Sequence, residues 1–477
     1  MKTAAGKKGA GVFTTTVGIA LIGLTLTVGA GAASVSPDTG SPANAGIPSA
    51  GGPLKNVIVL MRDRPAGLPA RSSARARVVR AEVAPLAQAL RTQGAKHLTA
   101  GKTLPFVLAS VSSAQKAALE SNPDVQAVLP DAVIRAPSAA IPAEAAAPVA
   151  ARGSKAAAGP CGTASNPEAD PEALGVIHAP DAMKLGFDGA GVSVAYIAGP
   201  IDTTIPDFKR NAKYASSGSP AGSAVLTNVN FSGDPANTPS GDDAGESFLD
   251  ASSIGAQGNT VFDLNAFVGS THPLPHPCDI TVTGTAPGSN VMGLDVFSDK
   301  NSTTESNFIQ AIQYAVSHGV KVLNESFGAN PFPDTALDAT RIADDEAVAA
   351  GVTVVTSTGD SGVTSTVGSP ATDPKLINAG ASTTFRAYKQ LTFGGINAPA
   401  PKSRRGTWLD NNIATISSSG YSQNGDNNVD LVAPGDSNWA LCSANVTVYT
   451  GCTTFSGKPA SLQFTGGTSE SAPLTAG

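Results

Sequence analysis

Gly467-Thr468-Ser469-Glu470-Ser471-Ala472-Pro473 joins a small-residue loop to the start of a helix. Gly-Thr-Ser followed four residues on by Pro puts a serine hydroxyl in the first helical turn. Backbone N–H groups and the positive end of the helix dipole stabilise an anion there. Such a hydroxyl has two readings, a loop-to-helix cap or a nucleophile. The rest of the chain decides between them.

Upstream of this motif, short apolar runs alternate with helical stretches. Residues 192–198, 291–296, 321–326 and 352–356 have the length and the near-continuous apolar character of parallel strands. Residues 306–318 and 336–350 are helix-like segments between them. The alternation predicts an α/β fold with a doubly wound parallel sheet.

The remaining sequence divides around this unit. Lys2, Lys7 and Lys8 precede an apolar run over 17–28, and Ala30-Gly31-Ala32 offers a small-x-small cleavage pattern. Residues 1–32 therefore read as a secretory signal, and a membrane anchor would need a longer uninterrupted apolar span. With no second apolar run of that length, the mature protein is expected to be secreted and free of the membrane. Residues 33–54, rich in Ser, Pro, Gly and Ala, read as a linker. Between 55 and 135 the order strand, helix, strand, helix, strands predicts a small α/β sandwich preceding the main unit. A second linker at 136–160, dominated by Ala and Pro, contains Arg152 and Lys155 and offers a place for processing. Residues 161–477 form the main domain. A net charge of −6 and 14% charged residues exclude a basic patch, so nucleic acid is not expected as a partner. Four cysteines in an exported chain predict two disulfides, for which sequence allows three pairings. Cys442 and Cys452 lie close enough to staple one loop, which leaves Cys161 with Cys278. No Cys/His spacing resembles a zinc site.

The Gly467–Pro473 motif resembles the nucleophile motif of the subtilisin and sedolisin superfamily of serine peptidases, and the resemblance runs from Leu174-Gly175-Val176 to the last residue. It implies a subtilisin-like fold and polypeptide substrates. It also implies that Asn122-Pro123-Asp124-Val125-Gln126-Ala127-Val128-Leu129-Pro130-Asp131 ends an inhibitory propeptide of the subtilisin type. The protein's own propeptide would then be an intramolecular partner, rather than an independent binding module. The helix carrying the nucleophile is buried in this fold and more chain follows it, so the resemblance implies that the sequence is a piece of a longer protein. Calcium is possible by resemblance to sedolisins, with ligands beyond Gly477.

Two members of a Ser/His/Asp triad are missing. Val194-Ala195-Tyr196-Ile197-Ala198-Gly199-Pro200-Ile201-Asp202 resembles the strand that carries the catalytic Asp of subtilisins, but Ala198 stands at that position. The helix that would carry the His begins near Gly245-Glu246-Ser247-Phe248-Leu249-Asp250, without a His. Glu246 and Asp250, four residues apart, project from one helix face. An acidic pair of this kind is either a solvated face or a site. Gly-Glu-x-x-Leu-Asp resembles the catalytic helix of sedolisins, which use a Ser-Glu-Asp triad. The resemblance implies that Ser469 is the nucleophile, Glu246 its general base, and Asp250 the residue that orients Glu246 and shares a proton with it. In Ser357-Thr358-Gly359-Asp360-Ser361-Gly362, Asp360 stands where sedolisins have the oxyanion-hole Asp and subtilisins an Asn. A subtilisin-type propeptide beside a sedolisin-like site implies an intermediate group.

The two swaps make one mechanism. A carboxylate base ionises near about pH 4, and an Asp donates to an oxyanion only when protonated. Histidine is protonated in acid and useless as a base there. Gly-Asp-Ser-Gly also matches the nucleophile loop of chymotrypsin-like enzymes, which would make Ser361 the nucleophile. That rival needs an Asp/His pair on an all-β frame, and His97, His178, His272, His276 and His318 sit in no such motif. Asn324-Glu325-Ser326-Phe327-Gly328 resembles the edge that pairs with extended substrate, giving Ser326 and Gly328 as substrate-binding residues. Residues 369–372 and 429–435 match structural turns of the fold. The competing class is a non-catalytic subtilisin-fold protein that binds peptides or a partner.

Overall fold

The computed structural model describes residues 46–135 and 161–477, except 63–64, 66, 171–172, 217, 236–237, 240–243, 269–273, 329–336, 363–364, 385, 388–389, 391–411, 423–424, 426–427 and 455–456. The signal segment, most of the first linker, and the linker containing Arg152 and Lys155 lie outside the described residues.

The N-terminal unit runs β1 (Lys55–Met61), α1 (Ser73–Thr92), β2 (Lys96–Ala100), β3 (Phe106–Val111), α2 (Ser113–Glu120) and β4 (Val125–Pro130). Its four strands form an antiparallel sheet in the order β2-β3-β1-β4. Strand alternation sends Val57, Val59 and Met61 toward Val79, Val83, Leu86 and Leu90 of α1 and Leu119 of α2. Ile58 and Leu60 point the other way, with Leu104, Phe106 and Leu108, into the core of the main domain. Burial on both faces explains why β1 reads as an unbroken apolar run. Ser72 caps α1, and Ser112 with Gln115 forms a capping box on α2. α1 runs on through Pro85. The strand β2 escapes the sequence pattern because it is bulged: His97 has φ 47° and the register shifts between Lys96 and Thr99.

The main domain is built on a seven-stranded parallel sheet. Its strands are β6 (Ser193–Ala198), β7 (Leu226–Asn230), β8 (Asn290–Asp295), β10 (Val322–Glu325), β11 (Thr353–Ser357), β12 (Ile377–Ala381) and β13 (Leu431–Ala433), in the order β13-β12-β11-β10-β6-β8-β7. Helices α4 (Glu305–His318) and α5 (Ala339–Ala349) cover one face, packing on Ala195, Ile197, Leu294, Leu323 and Val354. On the other face α3 (Ala244–Gly255) packs on Val194, Tyr196 and Val291, while α6 (Thr468–Ala476) covers Val355 and Ala379. This is the doubly wound α/β arrangement expected from the alternation. Beyond β13, β14 (Asn438–Leu441) and β15 (Leu462–Thr465) form an antiparallel pair that leads into α6. Disulfides Cys161–Cys278 and Cys442–Cys452 complete the domain, the second closing a short loop next to β14.

The N-terminal sheet rests on α4 and α5, so that it is sandwiched between its own helices and theirs. Arg75 is fully buried at this junction. It donates to the carbonyls of Thr103, Pro65, Leu68 and Glu346, and its guanidinium lies 2.9 Å from the Glu346 carboxylate. Gln313 of α4 accepts from the Lys102 amide at 2.6 Å. Asp131 caps α4, accepting from the Ser306 amide at 2.9 Å and its hydroxyl at 2.8 Å. The chain then adds β5 (Val133–Arg135), antiparallel to β9 (Ser302–Thr304). No helix among the described residues is long and apolar enough to cross a membrane.

Candidate active site

The site lies where the N-terminus of α6 meets α3 and the C-terminal ends of β10 and β11. Gly467 opens α6 with φ 111°, a conformation that L side chains rarely adopt. A Cβ at Gly467 would also stand 2.5 Å from Asp360 Oδ2. Glycine here is thus needed both for the turn and for the approach of Asp360.

Asp360 follows β11 and holds the start of α6. Its Oδ1 accepts from the Thr468 amide at 2.8 Å and the Thr468 hydroxyl at 2.9 Å. The Thr468 hydroxyl in turn accepts from the Gly359 amide. Although its surface opens toward the cleft, Asp360 is ringed by protein, and this desolvation raises its carboxyl above the usual range despite the Thr468 bonds. Burial and the nearby Asp360 charge push Asp436 up to about 7.

On the other side of Ser469, Asp250 is fully buried. Its Oδ1 accepts from Ser326 Oγ at 2.6 Å and Asn324 Nδ2 at 3.0 Å. Burial first, then the charge of Glu246, hold Asp250 well above the usual carboxylate range. Glu246 lies one turn earlier on α3, and its charge acts on both Asp250 and Glu470. The hydroxyl of Ser469 donates to the Ser326 carbonyl at 3.3 Å. Ser326 therefore touches Asp250 through its side chain and Ser469 through its backbone. The structure thus links Ser469 to Asp250 through Ser326 and ties Asp360 to Thr468, the residue before Ser469, with the Glu246 charge acting on Asp250.

Ser326 and Gly328 follow β10, which ends at Glu325. A Cβ at Gly328 would come within 3.1 Å of the Ser369 carbonyl, so the chain passes close to that turn. The Ser326 hydroxyl faces inward to Asp250, a contact that no local sequence pattern signals. Glu470, the residue after Ser469, was likewise not expected here and is fully buried. Glu470 Oε1 accepts from Ser253 Oγ at 2.8 Å and Asn438 Nδ2 at 3.2 Å. The only sequence signal was an acidic residue in a helix otherwise made of small and apolar ones.

The described histidines are engaged elsewhere. His97 bonds Ser110 in the N-terminal sheet, His178 and His276 sit near Asp181 and Asp263, and His318 stacks on Tyr314. His272 lies outside the described residues. Ala198 closes β6, paired in register with Asp295 of β8. Among the described residues, no group of three His, Cys, Asp or Glu side chains is arranged to hold a metal ion.

A serine at a helix N-terminus beside the strand ends of a doubly wound sheet defines a class, and comparison with known proteins gives the family. Residues 189–477 match the subtilase family, which is more than half of the chain, and the chain belongs to that family of serine-type peptidases. It is 32% identical over 224 residues to the minor extracellular protease Vpr of Bacillus subtilis (strain 168), covering 46% of this chain and 24% of Vpr. It is 30% identical over 215 residues to subtilisin of Bacillus pumilus, covering 44% of this chain and 64% of that protein. Subtilisin E of Bacillus subtilis (strain 168) is also 30% identical over 215 residues, covering 44% of this chain and 46% of that protein. The chain thus spans less than two thirds of each of these relatives.

Proposed function

We propose that the protein is a secreted serine endopeptidase that works in acid, with a carboxylate in place of histidine as general base. One observation carries the reading: the buried carboxyl of Asp250 and the hydroxyl of Ser469 meet on the same residue, Ser326, in a site whose described surroundings hold carboxyls and no imidazole. In this mechanism Ser469 Oγ attacks the scissile carbonyl while Glu246 accepts its proton. Asp250 orients Glu246 and shares its charge. The tetrahedral oxyanion takes a hydrogen bond from Asp360. Because Asp360 Oδ1 already accepts two bonds from Thr468, Oδ2 is the oxygen left to carry the donated proton. The C–N bond then breaks, Glu246 returns the proton to the leaving amine, and water releases the acyl group from Ser469 by the same route. Substrates are polypeptides, lying along the chain from Ser326 to Gly328.

The unit over 55–135 acts in this reading as an inhibitory propeptide. Its docking through Arg75, Asp131 and the β5–β9 pair supports that role, as does its continuation toward the 136–160 linker. The similarity to Vpr, an extracellular protease, supports the same reading. The test is hydrolysis of an unfolded polypeptide at about pH 4, a window set by carboxyl ionisation. Wild type is expected to cleave, Ser469→Ala to be inactive, and Glu246→Gln to lose about 10²–10⁴-fold. Cleavage by Glu246→Gln at the wild-type rate would remove Glu246 as base. Binding of the polypeptide without cleavage at any pH, once residues up to 160 are removed, would leave a non-catalytic peptide-binding protein.

A further inference from the structure

The α3 face turned toward α6 carries Glu246, Asp250 and Ser253, spaced four and three residues apart along one helical stripe. The first two are the acids of the proposed mechanism. The third donates its hydroxyl to Glu470, the residue directly after the nucleophile. Glu470 has no exposed surface, and its Oε2 has no hydrogen-bond partner among the described residues. Two fully buried carboxyls, Asp250 and Glu470, therefore lie near the partly buried Glu246, whose charge acts on both.

The strands packed on α6 bring more acid and no base. Asp360 follows β11, Asp430 and Asp436 flank β13, and β10 contributes Glu325, whose carboxyl neighbours that of Asp344. The strand β12 carries no charged residue, and no Lys, Arg or His lies on α3, β10, β11, β12 or β13. Full ionisation of Asp250 and Glu470 beside a charged Glu246 would set like charges together in a low-dielectric space, which is prohibitive.

We propose that Glu470 is a positioning residue: a buried neutral acid whose proton leaves Glu246 as the single charged carboxyl of these three, so that loss of that proton ends activity on the alkaline side. This rests on the reading of Glu246 as the base. Burial first, opposed by the Ser253 and Asn438 bonds, then the Glu246 charge, push Glu470 up to about 8. The proton on Glu470 and the one Asp360 donates both leave on the alkaline side, so the effect of Glu470 on rate is read where Asp360 no longer titrates.

The experiment uses the full chain and two backgrounds. In Ser469→Ala, which stops self-digestion, thermal stability is followed from about pH 5 to about pH 8, the interval in which the unfolded carboxyl is ionised and the folded one is not. Adding Glu470→Gln should give a stability advantage that grows across this interval, because the amide has no proton to lose. In Asp360→Asn, adding Glu470→Gln should keep kcat/KM at pH 4 within about three-fold and move the alkaline limb upward by about one pH unit or more. Ser253→Ala in the same background is the check that does not alter the carboxyl. Removing a donor to the ionised form should move the limb in the same direction by less. An unchanged stability curve, or an unchanged alkaline limb, overturns the proposal. Full activity of Glu246→Gln would remove the base, and with it this role of Glu470, even where the stability curves behave as expected.

Discussion

The molecule buries charge in two opposite ways. At the junction of the N-terminal unit with α5, Arg75 is enclosed by four carbonyls and the Glu346 carboxylate, so the cation has an anion and nearly every donor is used. Around Ser469, carboxyls are enclosed beside one another: Asp250 and Glu470 are fully buried, and Glu246 acts on both. The first arrangement is compensated and serves to hold two units together. The second survives only if protons replace counter-ions, which makes it sensitive to pH and suits it to proton transfer.

The contrast can be broken from either side, and the largest expected effect lies at the site. Glu246→Gln should reduce kcat/KM by about 10²–10⁴-fold at acidic pH while leaving the thermal unfolding midpoint nearly unchanged, because the amide keeps the shape of the acid. At the junction, Arg75→Ala should cost about 3–5 kcal/mol in denaturant unfolding of the full chain, since it removes the cation and leaves Glu346 enclosed. Little loss there would mean that Arg75 only fills space.

Next comes the response of stability to pH. Glu325 and Glu470 are both fully buried and pushed up to about 8. The folded state therefore holds protons that the unfolded chain releases above about pH 4.5, so stability is greatest in acid and falls as pH rises toward 8. A loss on the order of a few kcal/mol over that interval is expected from urea unfolding of the Ser469→Ala chain. A stability that rises with pH would contradict the burial of unpaired carboxyls. The smallest effect sharpens the junction side. Asp131→Ala removes the cap from Ser306 and should cost about 1 kcal/mol, measured by the same unfolding.

The same contrast explains what could be read from sequence. Patterns carried by neighbouring residues were legible. The apolar runs placed β6, β8, β10 and β11. The spacing of Glu246 and Asp250 put both on α3, and Gly467 and Ser469 marked the start of α6. Cys442 and Cys452, ten residues apart, pair as their spacing suggested. Interactions that depend on distant partners were not legible. Arg75 and Glu346 are separated by 271 residues, and nothing local distinguishes Arg75 from the solvated arginines of α1. Glu470 reads as an ordinary helical acid until Ser253 and Asn438 close over it. Ser326 was expected to meet substrate, and only the fold turns its hydroxyl to Asp250. The strand β2 was hidden by its own bulge at His97.

The most direct test of a carboxylate-driven site is kcat/KM measured against pH for wild type and Asp360→Asn, with residues up to 160 removed. The account predicts a wild-type maximum in acid, at about pH 3–5 from ordinary carboxyl ionisation, with the upper edge moved higher by the desolvation of the Asp360 carboxyl among its protein neighbours. Below that window Glu246 is protonated and no longer accepts the Ser469 proton; above it Asp360 has lost the proton it donates. Asp360→Asn keeps a donor at every pH and should carry activity toward neutrality. Activity that climbs to a plateau above neutral pH, with a profile that Asp360→Asn leaves unchanged, would contradict the account and point to a histidine base.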